Sequence, residues 1–315
     1  MAIYRLDIQS LSRSAGRSAT HAAAYRSGER IRDERTGRTH DHTRRTDVLN
    51  KEIVLPSAYE GSEPAWARDR ATLWNLAEAT EKRSNSRVAR EYQVSLPSEL
   101  SDRQRLDLTR AFSRDLADRY NVAVDMTVHA PREGGDPRAY HAHVLTTTRE
   151  VTPEGLGAKA SIELGHDPTR VQRGLLSSSE EVKAVRARWA DLTNQALREA
   201  NIDARVDHRS LAAQGIDREP GPSIPHRFMA MERRGTRTTI GDQLRENYRQ
   251  RMESRAARAM EARPPQKGRN LEEVRREAVQ AWLQYRERHR SPAAEPSKEA
   301  LERKAQKTHD NDYSL

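Results

Sequence analysis

Three histidines and one tyrosine are the residues of this 315-residue chain whose types and spacing could do chemistry. His141 and His143 stand two apart in the β-rich run "AYHAHVLTTT", and His129 ends the β-rich run before it, "VAVDMTVH". Side chains alternate along a strand, so His141 and His143 project from one face. The intervening "APREGGDPR" has the proline and glycine content of a turn. If the flanking strands, near 122–130 and 139–149, pair antiparallel, His129 comes to lie beside the other two. Three neutral imidazoles on one face make a divalent-metal site with coordination positions left open for a substrate. The chain has no cysteine, which excludes thiolate ligands and disulfides and leaves Mg²⁺, Mn²⁺ or another hard-to-borderline ion. The bland reading, ordinary strand histidines, is weakened by the third histidine on the neighbouring strand.

Tyr25 sits in "ATHAAAYRSGERI", among four alanines, in a chain with only 5% aromatic residues. A tyrosine beside alanines is most often a core residue. The alternative is a nucleophile, which needs help, because a phenol with a pKa of ~10 is weak at neutral pH until something favours the phenolate. Of the remaining histidines, His40 and His42 in "THDH" read as solvated turn residues, and His166, His208 and His226 stand alone.

The elements that must position these groups follow from periodicity and punctuation. "AIYRLDIQSLS" alternates as a strand, and Ser18 can cap a helix through "ATHAAAYRSGER" that stops near the turn-rich "RDERTGRTHDHT". "KEIVLPS" is a short strand, and Trp66, Leu73, Trp74 and Leu76 mark one amphipathic helix from Glu63 to about Arg83. "AREYQVSLPSEL" is a strand closed by Pro97, followed by a helix capped by Ser101 or Asp102. A loop-rich stretch runs to about 178, and then "SSEEVKAVRARWADLTNQALREANI" is a helix with a serine cap and glutamates in its first turn. Past Ile240 the chain is charged and helical in pattern, broken at "RPPQKG" and "SPAAEPS", with about twenty disordered residues expected at the end.

Composition bounds the class. With 33% charged and 35% hydrophobic residues, a compact core with exposed helical extensions is expected. Lys and Arg number 56 against 47 Asp and Glu, a formal charge of +9, which suits a polyanionic partner bound through phosphate contacts. There is no apolar signal core and no stretch approaching a membrane span, so a cytoplasmic protein is the expectation.

The segment "VHAPREGGDPRAYHAHVLTTTRE" resembles the three-histidine motif of HUH endonucleases, with Ala142 between the paired histidines. "AIYRLDIQSLSRSAGRSATHAAAYRSGE" resembles the opening of MobA/MobL-type mobilization relaxases, and "AREYQVSLPSEL" and "ARVDHRSLAAQGIDREP" match further segments of that family. Four motifs in the same order cover residues 1–230. The resemblance implies an α+β fold, a central antiparallel sheet flanked by helices, with metal on the sheet and the tyrosine on a helix above it. It implies a relaxase domain over 1–230, a charged helical extension over 231–290 and a disordered tail over 291–315.

The implied activity is strand-specific nicking of single-stranded DNA at a plasmid transfer origin through a covalent 5′-phosphotyrosine link that can be rejoined. Tyr25 is then the nucleophile, and the small Ala22–Ala24 run suits a hydroxyl that must meet DNA. The metal ligands are His129, His141 and His143, with Mg²⁺ or Mn²⁺ as the ion. Glu91 matches the family's acidic position before "LP", either orienting a ligand histidine or taking a proton from Tyr25; Gln93 replaces the second acid of some relatives. Arg13, Arg17, Arg26 and Arg90 flank the motifs as candidates to grip the DNA backbone. Asp207 and His208 match a family segment without an assigned role. Accessory mobilization proteins and a type IV coupling protein are the implied partners, in a plasmid-bearing bacterial cytoplasm. The competing functions are an HUH replication initiator or transposase, in most of which the tyrosine follows the histidines, and a non-catalytic DNA-binding accessory protein.

Overall fold

The computed structural model describes residues 3–165, 168–261 and 271–288. Chain contacts divide it into two units, residues 1–217 and 218–315. In the first, β1 (Leu6–Ser12) leads to α1 (Ala19–Ser27), a short hairpin of β2 (Arg30–Arg32) and β3 (Thr39–Asp41), and β4 (Val48–Val54). Then come α2 (Ala65–Arg68), α3 (Arg70–Thr80), β5 (Arg87–Ser95), α4 (Asp102–Tyr120), β6 (Val124–His129) and β7 (His141–Thr146). A second hairpin, β8 (Arg149–Thr152) and β9 (Gly155–Lys159), precedes α5 (Pro168–Gln172) and α6 (Ser178–Glu199).

The fold is α+β. Five strands form one antiparallel sheet in the order β1-β5-β7-β6-β4. Alternation along its strands separates two chemistries. Tyr92, Val94, Met126, Val128, Ala142 and Val144 face one side and pack with Leu108, Phe112 and Leu116 of α4 and Trp189 of α6. Phe112 anchors that layer, its ring 6.1 Å from Tyr92 and 5.1 Å from Trp189 between centroids. Burial of each valine, leucine, methionine and phenylalanine among them stabilises by roughly 1.5–3 kcal/mol. The intervening residues, Glu91, Gln93, Asp125, Thr127, His129, His141 and His143, therefore point to the other side, where α1 and α3 lie.

Polar groups tie α1 and α3 to that face. Asp125 is buried beneath α3, where Arg70 grips it at 2.9 and 3.0 Å and Trp74 Nε1 donates to it at 2.8 Å. Buried Glu78 of α3 accepts from the first amide of α1, that of Ala19, at 2.7 Å and pairs with Arg13 at 2.7 Å. Asp33 accepts from the hydroxyls of Ser18 and Thr20 at 3.0 and 2.7 Å and so fixes the start of α1.

Three sequence expectations are corrected. The single helix over 63–83 is two, because Asp69 is extended and caps α3 by accepting from the Thr72 amide at 2.8 Å. The turn-rich segment before residue 42 pairs as β2–β3, and the loop-rich stretch before 178 contains β8–β9. Both hairpins are too short and too polar to show a period-2 apolar pattern. The expected breaks at 263–268 and 291–297 and the tail over 291–315 lie outside the described residues.

Among its described residues the second unit has α7 (His226–Arg233), α8 (Thr239–Glu261) and α9 (Leu271–Arg288). Glu232 of α7 pairs with Arg245 of α8 and accepts from Thr238 at 2.7 Å. No helix among the described residues is long and apolar enough to cross a membrane.

Candidate active site

Register brings the histidines together. His129 and His141 are direct partners across β6 and β7, and His143 lies two residues further along the same face. The three ring centroids are 5.0–5.2 Å apart, and one nitrogen from each lies within 4.8 Å of the others. Gln93 is the β5 partner of His143, so the next residue on that face of β5, Glu91, sits diagonally to it.

Burial disfavours the charged form of two of the three imidazoles. Burial pushes the His129 imidazole down to about 3, reinforced by His143 and opposed by its bond to the Arg26 carbonyl. Burial, with His143, also lowers His141. The orienting contacts differ. His143 Nδ1–H donates to Glu91 Oε1 at 2.6 Å, and His141 Nδ1–H donates to the Ala139 carbonyl at 3.1 Å, so in both rings Nε2 is the nitrogen left to face a cation. His129 Nε2 donates to the Arg26 carbonyl at 2.8 Å, while its Nδ1 receives Arg45 Nη2 at 3.2 Å. A metal bound by His129 therefore replaces one of those two contacts. With that adjustment the donor set fits a borderline divalent ion, three imidazole nitrogens with a carboxylate behind one of them.

Glu91 is ionised despite burial. Burial alone would raise its pKa, but the bonds from His143 and from Arg26, which reaches it with Nε and Nη2 at 2.5 Å each, hold it at about 2. Both carboxylate oxygens are thereby engaged.

Tyr25 lies on α1, a nine-residue helix that begins at the Ser18 cap, whose hydroxyl accepts from the His21 amide at 3.3 Å, and ends at Gly28 in the left-handed conformation. The alanines have a different reason from the one the sequence suggests. Ala22, Ala23 and Ala24 are buried in a second core with Leu73 and Trp74 of α3 and Leu145 of β7, and their small side chains let α1 pack closely there. Tyr25 is left 40% exposed, on the solvent side of the helix. Arg26, the next residue, reaches the three-histidine face with both its carbonyl and its guanidinium.

The other sequence candidates divide. Arg13, Arg26 and Arg90 pair with the buried carboxylates of Glu78, Glu91 and Glu163, at 2.7, 2.5 and 2.6 Å. Arg17 Nη1 donates to Gln9 Oε1 at 3.1 Å, near the surface. His40 and His42 are not turn residues free in solvent. His42 packs edge-on to Tyr25, centroids 5.1 Å apart, and His21 stands 4.9 Å from His40 and 5.4 Å from His42. Sequence reasoning missed Arg45, whose guanidinium lies over the Tyr25 ring at 4.3 Å. It also missed the exposed Arg30, Arg32, Arg38 and Arg44 of the β2–β3 region, whose signal was the arginine density of "RIRDERTGRTHDHTRR".

Comparison with known proteins adds the lineage. The chain is 41% identical over 255 residues to mobilization protein MobL of Acidithiobacillus ferridurans, covering 74% of this chain and 65% of that protein. It is 32% identical over 251 residues to mobilization protein A of Escherichia coli, covering 77% of this chain and 32% of that protein. The chain thus spans less than two thirds of either relative. A solved structure described as the molecular basis of vancomycin resistance transfer in Staphylococcus aureus superposes with a TM-score of 0.56 at 28% identity, over 66% of this chain and 100% of that one. The sequence profile of the MobA/MobL family matches residues 17–234, and the chain belongs to that family.

Proposed function

We propose that this chain is a DNA relaxase, which nicks single-stranded DNA at a plasmid transfer origin through a covalent 5′-phosphotyrosine link on Tyr25 and can rejoin it. The observation that carries the reading is the double attachment of Arg26, through its carbonyl to His129 and through its guanidinium to Glu91. It clamps the residue next to an exposed tyrosine into a three-histidine face. The names of the mobilization proteins it resembles support the same reading.

A divalent ion held by His129, His141 and His143, Mg²⁺ or Mn²⁺ by this proposal, would neutralise the non-bridging oxygens of the scissile phosphate and stabilise the charge that develops there. The protein supplies the rest. The Tyr25 oxygen bonds to phosphorus, the bond to the 3′ oxygen breaks, and a free 3′ hydroxyl remains. Rejoining reverses these steps, because the phosphotyrosyl link keeps the energy of the broken diester. Glu91, ionised and with both oxygens occupied, orients His143 and Arg26 rather than accepting a proton. The exposed arginines of the β2–β3 region contact the backbone of the DNA. Accessory mobilization proteins and a coupling protein are the partners proposed for the helical second unit.

The deciding assay incubates the protein with single-stranded oligonucleotides tiling the DNA around its gene, with Mg²⁺ or Mn²⁺, and looks for a denaturation-resistant adduct. An adduct lost with EDTA and in Tyr25→Phe is expected. Cleavage persisting in Tyr25→Phe would move the nucleophile, and binding without cleavage anywhere would favour the accessory-protein reading.

A further inference from the structure

Arg45 lies between β3 and β4, and it joins the tyrosine to the histidine face. Its guanidinium carbon stands 4.3 Å from the Tyr25 ring centroid, and its Nη1 donates to the Tyr25 carbonyl at 2.7 Å. Nε and Nη2 grip the Asp47 carboxylate at 2.8 and 2.5 Å, and Nη2 also meets His129 Nδ1 at 3.2 Å. The side chain is only 15% exposed. Every nitrogen of the guanidinium is thus engaged within the protein, which argues against a surface arm reaching for phosphate.

The fold makes room for this group. Gly28, just past α1, sits at φ 64°, and a side chain there would meet Val48 at 3.3 Å and Arg45 at 3.5 Å. The Arg45 amide donates to the His42 carbonyl at 3.1 Å, and the Ala130 amide donates to the Asp47 carbonyl at 2.8 Å. Arg45 and its anchor are therefore held from both sides, against the hairpin and against the strand that carries His129.

We propose that Arg45, fixed by Asp47, is the positioning residue for Tyr25: it holds the ring and main chain of the tyrosine beside the histidine face and covers the ring with a positive charge. For the reaction this rests on the relaxase reading, but the contact stands on geometry alone. When the phenol attacks, its oxygen bonds to phosphorus, the bond to the 3′ oxygen breaks, the phenolic proton passes to solvent and the 3′ oxygen takes a proton from solvent. In rejoining, the phenolate leaves. Its negative charge is delocalised into the ring that the guanidinium covers, and Asp47 has already oriented that cation. Arg45 neither gains nor loses a proton.

The test uses the full chain and the variants Arg45→Ala, Arg45→Lys and Asp47→Asn. Single-turnover adduct formation is measured at saturating Mn²⁺, beside oligonucleotide affinity and Mn²⁺ affinity. Arg45→Ala is expected to slow adduct formation on the order of 10²-fold, with DNA affinity unchanged and Mn²⁺ affinity not reduced. Arg45→Lys is expected to restore part of the rate. Independently of activity, nuclear Overhauser contacts between the Tyr25 ring and the Arg45 side chain are expected in the parent protein and lost in Asp47→Asn, with the α1 amide resonances in place. A DNA affinity that falls in step with the rate would make Arg45 a DNA anchor and overturn the proposal, as would parent-like rates in Arg45→Ala or absence of the ring contact. If the parent protein shows the contact but forms no adduct with any oligonucleotide, the relaxase reading fails while the positioning contact is upheld.

Discussion

Glu91 and His143 share a short hydrogen bond, Oε1 to Nδ1 at 2.6 Å, across two neighbouring strands of the central sheet. The same carboxylate takes both nitrogens of an Arg26 fork. One buried anion thus orients a ring of the three-histidine face and fastens the helix that carries Tyr25. Glu91→Gln keeps the shape but removes the charge. Mn²⁺ affinity by calorimetry is expected to fall about 10–100-fold, with adduct formation falling further because Arg26 loses its ion pair. Unchanged metal affinity would separate Glu91 from the metal centre.

His129 and His141 contribute to the same site but not equally to the fold. His129 is fully buried and bonded to Arg26 of α1 and to Arg45, whereas His141 is partly exposed. Alanine at either position is expected to abolish Mn²⁺ binding. In urea denaturation without metal, His129→Ala is expected to cost about 1–3 kcal/mol for the stranded buried partners, and His141→Ala well under 1 kcal/mol. Equal costs would mean the burial difference has no energetic content.

Asp33 gives a pH signature separate from the three-histidine face. Burial opposes its ionisation, but the bonds from Thr20, Thr36 and Ser18 win and hold it at about 2. A depressed folded-state value contributes stability that is complete above the unfolded carboxylate range and lost as pH falls through about 2. Between about pH 4 and pH 2 the stability of the parent protein should therefore decline more steeply than that of Asp33→Asn. Parallel acid limbs in chemical denaturation would refute this assignment.

Gly28→Ala tests the close approach under α1. The left-handed φ and the 3.3 Å contact with Val48 both oppose a side chain there. A loss of about 1 kcal/mol or more is expected in thermal denaturation. A slower adduct rate should accompany it, because the displaced helix end carries Arg45 with it. A neutral substitution would show that this junction has slack.

Much of the site was legible because it is written in local patterns. His141 and His143 are two apart on a strand, so sharing a face needed nothing beyond the period of the backbone. Ser18, Ser101 and the glutamates after Ser177 marked three helix starts through capping chemistry alone, and all three helices are present. The two polar hairpins and the break at Asp69 were not legible, since each depends on pairing or capping that overrides a weak or misleading periodicity.

What the sequence determined by itself was the set of chemical groups and the side of each element on which they lie: three histidines on paired strands, a tyrosine in an alanine-rich helix, an acid in a central strand. Only the tertiary structure decided which charges are free to act. Arg13, Arg26 and Arg90 looked like hands for DNA, but each answers a buried carboxylate 65 to 73 residues away in the chain. Arg45 had no motif, yet folding sets it between Tyr25, Asp47 and His129. The physical reason is that a charge is recognised by its type, whereas its role depends on the partner that compensates its burial. That partner is chosen by the packing of distant segments, which no local pattern records.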